Sequence, residues 1–151
     1  MKNILIVTAV YYPEISTSLK NGAINFLKGN GHKIKIIDVP GIFEIPSVVA
    51  KYIDEFDGIV VLGCVIKGQT SHFDLISRSV TEAIMNLSIS HKKPIGNGLI
   101  SCLNKKQALE RSNLQNKLKN KGVEAAKAVS LVLNREPVDF KSSMTSIRVG
   151  T

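Results

Sequence analysis

The residues best suited to chemistry lie in one short stretch, Gly68-Gln69-Thr70-Ser71-His72-Phe73-Asp74. His72 is its one titratable base, and a neutral imidazole can accept a proton near pH 7. Ser71 with Asp74 three residues later fits the capping-box pattern of a helix start. The stretch is therefore expected at a helix N-terminus. Free backbone N–H groups and the positive dipole end make such a place ready for an anion. A histidine that merely caps the helix is the plainer alternative.

The flanking residues supply the elements. Gly58 to Gly63 is an apolar run that reads as a buried strand, and Phe73, Ile76, Val80, Ala83, Ile84 and Leu87 are spaced as one face of a helix. Ile4 to Ala9 reads as another strand buried on both sides. Pro13 and Glu14 suit a helix first turn, with Ile15, Leu19, Ala23, Phe26 and Leu27 as its stripe and Gly29-Asn30-Gly31 as its stop. Lys33 to Val39 alternates, as a strand nearer the sheet edge does. Pro46 starts a helix carrying Val48, Val49, Tyr52 and Ile53. Pro94 to Ser101 is a fourth strand. Asn104 caps a helix with Ala108 and Leu109 on its core side, and a last helix runs from about Asn120 to Leu133 with Ala125, Ala126, Val129, Val132 and Leu133 inward. The alternation predicts an α/β fold: a four-stranded parallel sheet with helices on both faces, a three-layer αβα sandwich. One domain spans 1–151, with a polar tail after about 137.

Composition narrows the function classes. The chain has 151 residues, 44% of them hydrophobic, enough for a real core. No run approaches the roughly 20 apolar residues of a membrane span. No signal peptide is visible, because Tyr11-Tyr12-Pro13 ends the first apolar run early. Cys64 and Cys102 in apolar surroundings argue for a reduced, cytoplasmic protein. The net charge of +8 fits either nucleic acid or an anionic small substrate. Scattered lysines and 5% aromatics disfavour the nucleic acid.

In such a sheet the carboxyl ends of the strands share a rim. The sequence places there Tyr11-Tyr12, then Gly41-Ile42-Phe43-Glu44, then Cys64 to Thr70, and Asn97. An aromatic platform, a turn with free amides and a carboxylate, a basic anion loop and an amide suit a flat polar ring with a hydroxylated tail, plus a phosphate. Strand-end packing for the tyrosines, a helix-start carboxylate for Glu44 and a strand irregularity for Asn97-Gly98 are the plainer readings.

Val39-Pro40-Gly41-Ile42-Phe43-Glu44-Ile45-Pro46 resembles the VPGAFEIP signature of the lumazine synthases. Gly63 to Asp74 resembles their second signature, LG-x-VIRG-x-T-x-H-F/Y-D. Gln107 to Arg111 and Asn120 to Ala126 match the EQA-x-ER and NKG-x-EAA blocks, so the resemblance runs from Ile4 to about Leu133. It implies a flavodoxin-like fold and an enzyme of riboflavin biosynthesis. That enzyme joins 5-amino-6-(D-ribitylamino)uracil to 3,4-dihydroxy-2-butanone 4-phosphate, releasing phosphate and water and using no metal or organic cofactor. It further implies that Tyr11 stacks on the pyrimidine, that Gly41, Ile42, Phe43 and Glu44 meet the ring and ribityl chain, and that Cys64, Val65 and Ile66 line the ring site. Gln69 and Thr70 hold phosphate, Arg111 supplies charge, and His72 transfers protons. Asn97 and Lys121 contribute from an adjacent subunit, which makes the partner a homo-oligomer.

The chain also departs from the pattern. Lys67 stands where arginine is usual, Tyr12 for a common asparagine, and Asn97 for a common phenylalanine. The connection from Arg111 to Asn120 is about two residues longer and lacks a glycine before Asn120, and the extension many members carry before the first strand is missing. These departures point to a pentamer, or paired pentamers, rather than a sixty-subunit shell. An archaeal-type riboflavin synthase and an inactive flavin- or lumazine-binding protein remain as alternatives.

Overall fold

A computed structural model describes residues 1–68, 72–116 and 118–140. Four strands, β1 (Asn3–Ala9), β2 (Lys33–Val39), β3 (Gly58–Ile66) and β4 (Ile95–Cys102), form one parallel sheet in the order β2-β1-β3-β4. The helices are α1 (Pro13–Gly29), α2 (Ile45–Tyr52), α3 (Phe73–His91), α4 (Lys105–Arg111) and α5 (Lys121–Leu133). The most apolar strands occupy the centre. β3 is buried along its whole length and β1 at every position after Asn3, whereas β2 and β4 alternate and form the edges. This is the expected three-layer αβα, flavodoxin-like architecture.

Two cores flank the sheet, because successive side chains on a strand point to opposite faces. Ile4, Ile6, Val60, Leu62, Ile100 and Cys102 pack against α1, α4 and α5. Leu5, Val7, Ile59, Val61 and Val65 pack against α2 and α3. Each fully buried aliphatic side chain contributes roughly 1.5–3 kcal/mol, so α1, with Ile15, Leu19, Ala23 and Leu27 all enclosed, is held mainly by this burial.

Some boundaries differ from expectation. β3 runs three residues past Gly63, so Cys64, Val65 and Ile66 are strand and not loop. Ile53 falls in a 3-10 turn after α2. Leu109 and Val132 are 40% and 56% exposed rather than inward. Their helices are short or end near them, and each packs one narrow stripe on the sheet.

Gly96 and Gly98 do not mark an irregularity. β4 is regular there, and an added Cβ on Gly96 would come 2.2 Å from the Ala125 carbonyl oxygen. The glycines let α5 lie close on the edge strand. Among the described residues no helix is long and apolar enough to cross a membrane.

Candidate active site

The strand order reverses direction between β1 and β3, and in open α/β sheets ligands bind beyond the carboxyl ends at such a switch. Tyr11 follows β1 there and is 66% exposed. Tyr12 meets it edge-on at 4.9 Å but packs its own ring against the core, so the platform is Tyr11 alone. After β2, residues Ile42–Glu44 form a 3-10 turn opened by Gly41. Ile42 is buried over Gly63, Phe43 is 69% exposed, and the Glu44 carboxylate folds back over Gly41. The Glu44 amide is already bonded to the Gly41 carbonyl at 3.2 Å, leaving its carboxylate for a ligand.

After β3 the chain turns at Lys67 and Gly68. The Lys67 amide donates to the Cys102 carbonyl at 2.8 Å, and Gly68 has φ +84°, a left-handed conformation that favours glycine. Gln69, Thr70 and Ser71 lie outside the described residues. His72 is exposed and is itself the N-cap of α3, its carbonyl accepting from the Ile76 amide at 2.8 Å. The cap has no side-chain bond, so the His72 ring is not spent on capping. The placement of His72 at a helix start beyond a strand is as expected, while the capping box rested on Ser71.

Val65 shares the α3 face with Ile42 and Phe73. Cys64 and Ile66 belong to the opposite core, so any ligand contact of theirs runs through backbone. Burial, helped by the neighbouring Cys102 thiol and opposed by Arg111, pushes the Cys64 thiol up to about 12. Burial raises Cys102 as well, with Arg111 pulling the other way. Both are neutral packing thiols near pH 7, not nucleophiles.

The remaining candidates are elsewhere. Asn97 does not sit at a carboxyl end. It pairs with Val61, five residues short of Cys102, which is roughly 16 Å along the strand. The strand extends beyond it because the Gly-rich start of β4 is regular. Its Oδ1 accepts from the Leu99 amide at 3.0 Å, and the residue is exposed on the edge strand.

Arg111 and Lys121 line a cleft of about 480 Å³ on the outer side of β4, with Leu99, Ile100 and Ser101 as its floor. Arg111 Nη1 donates to the Ser101 carbonyl at 3.1 Å and lies 3.8 Å from Cys102 Sγ. Lys121 Nζ is 3.5 Å from Glu124 Oε1.

The expected site thus divides in two within one chain. Tyr11, the Gly41–Glu44 turn, Val65 and His72 belong to the rim, whose turn and α3 pack on one face of the sheet. Arg111 and Lys121 stand on helices of the other face. The sequence reading missed Glu110, Lys119 and Glu124, which also line the cleft. Glu110 and Lys119 lie in the densely charged stretch from Lys105 to Lys121, a pattern that fits a solvated face equally well, and Glu124 follows just beyond it.

The sequence model for 6,7-dimethyl-8-ribityllumazine synthase matches residues 1–136. The chain belongs to the lumazine synthase family. Proteins named 6,7-dimethyl-8-ribityllumazine synthase are similar to it from Bartonella bacilliformis (41% identical, covering 83% of this chain and 84% of that one). Others come from Agrobacterium fabrum (39%, covering 83% and 88%) and Cutibacterium acnes (37%, covering 86% and 79%). The family match takes in both the rim and the cleft, so both regions belong to the lumazine-synthase-like part of the chain.

Proposed function

We propose that the protein is a transferase that condenses 5-amino-6-(D-ribitylamino)uracil with 3,4-dihydroxy-2-butanone 4-phosphate to 6,7-dimethyl-8-ribityllumazine. The observation that carries this is the family match over residues 1–136, with the histidine and the cationic cleft both inside it. The amine attacks the ketone and expels one water to give a Schiff base, phosphate is eliminated, and ring closure onto the remaining carbonyl releases a second water. Each step moves a proton, and a positioned base typically contributes ~10²–10⁴-fold. His72 takes that role. Its ring is exposed at the α3 N-terminus, where charge building on the leaving group is also stabilised.

The exposed ring of Tyr11 suits stacking on the pyrimidine. The Gly41–Glu44 turn, with Cys64, Val65 and Ile66 beside it, suits the ring and ribityl chain. Gln69 and Thr70 cradle phosphate, and Arg111 adds the planar fork that matches it. Holding the two substrates side by side supplies much of the remaining acceleration.

Because rim and cleft occupy different faces of one chain, the complete site forms between adjacent subunits. The His72 rim of one subunit meets Arg111, Lys121 and Asn97 of the next. Such a head-to-tail contact closes into a ring, the long Arg111–Asn120 connection favours a homopentamer, and the free, buried Cys64 and Cys102 suit the reducing cytoplasm. The substrates are small molecules, and no nucleic acid or cofactor takes part.

Incubating the protein with both substrates tests this: lumazine and phosphate should appear in equal amounts. Riboflavin formed from lumazine alone would assign the protein to the sibling activity. Tight lumazine binding without product would make it a binding protein.

A further inference from the structure

Lys119 lines the same cleft as Arg111 and Lys121, on the connection between α4 and α5. Three cations there face two carboxylates, and their pairing is uneven. Lys121 lies 3.5 Å from Glu124. Arg111 is bonded to a neutral carbonyl and touches a neutral thiol. Among the described residues, neither Arg111 nor Lys119 has a carboxylate within ion-pair distance. Arg111 and Lys119, two cations without an ion-pair partner among the described residues, therefore share one concave surface with the single remaining carboxylate of Glu110, which leaves the cleft net positive.

The backbone that carries Lys119 is anchored. Its own amide donates to the Asn116 carbonyl at 3.0 Å. The next residue, Asn120, is fully buried. Its Nδ2 donates to the Ser112 carbonyl at 3.0 Å and to the Ser18 carbonyl at 3.3 Å, and its Oδ1 accepts from the Val123 amide at 3.1 Å. One amide thus joins the end of α4, the start of α5 and α1. It closes the loop between Arg111 and Lys121, and Lys119 projects from that closed loop.

We propose that Lys119 is a third cationic ligand of this cleft, acting with Arg111 and Lys121 on a phosphate dianion. This inference rests on the functional reading above, under which the dianion is the phosphate of the phosphorylated substrate or the inorganic phosphate it releases. A carboxylate carries one charge and satisfies one cation. A phosphate group carries nearly two charges and three free oxygens, and so meets the guanidinium fork and two point charges together.

Lys119→Ala is expected to raise the KM for the phosphorylated substrate and the inhibition constant of inorganic phosphate by roughly 3–5-fold each, the scale of an exposed ion pair. The effect should shrink as salt rises, Lys119→Arg should restore both constants, and the KM for the amine substrate should not follow. A change confined to the substrate would assign Lys119 to the bound ester alone, and a change confined to inorganic phosphate to product release. Product formation with both constants unmoved in Lys119→Ala would overturn the inference and leave the proposed activity standing. If no product forms at all, a ³¹P NMR titration with inorganic phosphate still decides. Weaker binding in Lys119→Ala than in the unchanged protein supports the cleft ligand, and equal or absent binding overturns it.

Discussion

The rim and the cleft are built by different means. At the rim, three strand ends and the turns after them bring groups together that need little from the rest of the chain. Gly41 opens a short turn, and Gly68 takes φ +84° with open space around its Cα. At the cleft the backbones themselves are pressed together. A Cβ on Gly122 would lie 2.0 Å from the Leu19 carbonyl oxygen, one on Gly22 would lie 2.6 Å from Asn120 Oδ1, and Gly96 is as tight against α5. Gly68 at the rim serves conformation, whereas the glycines behind the cleft, where α5 meets α1 and β4, serve space. The rim is set by local turns, and the cleft by contacts between residues distant in sequence.

That contrast can be tested through activity first. His72→Ala, at the rim, is expected to lower turnover by up to about 10²-fold, within the range of a lost proton-transfer group. A complete loss in folded protein would mean the imidazole does more than move protons. Arg111→Ala, in the cleft, is expected to raise the KM for the phosphorylated substrate by roughly 10–100-fold, the cost of a charge-assisted hydrogen bond. An unchanged KM would remove the cleft from phosphate binding.

Stability sharpens the same comparison. Gly122→Ala is expected to cost roughly 2–3 kcal/mol through overpacking, and Gly68→Ala only about 1 kcal/mol through its left-handed backbone. Thermal unfolding would show the order, and the reverse order would contradict the division of roles. A last effect concerns alkaline pH only. The Cys64 thiol is held at about 12 in the folded chain against an ordinary 9.0. Between those values the unfolded chain gives up that proton and the folded one keeps it, so stability falls as pH rises from about 9 to about 12. Cys64→Ala should flatten that alkaline slope, measured by denaturant unfolding, and an unaltered slope would deny the thiol its part.

The contrast also explains what could be read from the sequence. β1 and β3 were legible because a strand buried on both faces is a continuous apolar run. His72 was legible because a glycine turn between such a strand and a helical stripe fixes its address. Asn104 was legible as a cap because an asparagine just before a helical stripe can bond the amide three residues on, as it does that of Gln107; Asn120, read only as the start of the last helix, caps it the same way through the Val123 amide. Asn97 was misplaced because nothing local tells where along an edge strand its pairing begins; the register with Val61 is set by β3. Lys119 and Glu124 were passed over because a charged residue reaches a cleft only through tertiary contacts, here the Asn120 amide bonding residues 8 and 102 positions away.

The central claim is that His72 and Arg111 of different subunits complete one site. His72→Ala and Arg111→Ala chains, each impaired alone, can be unfolded together in equal amounts, refolded and assayed at low substrate. In a head-to-tail ring about a quarter of the junctions then join an intact rim to an intact cleft, so activity should rise to about a quarter of the unaltered enzyme's. Activity no higher than the average of the two separate variants would mean that both groups act within one chain, and the account would be wrong.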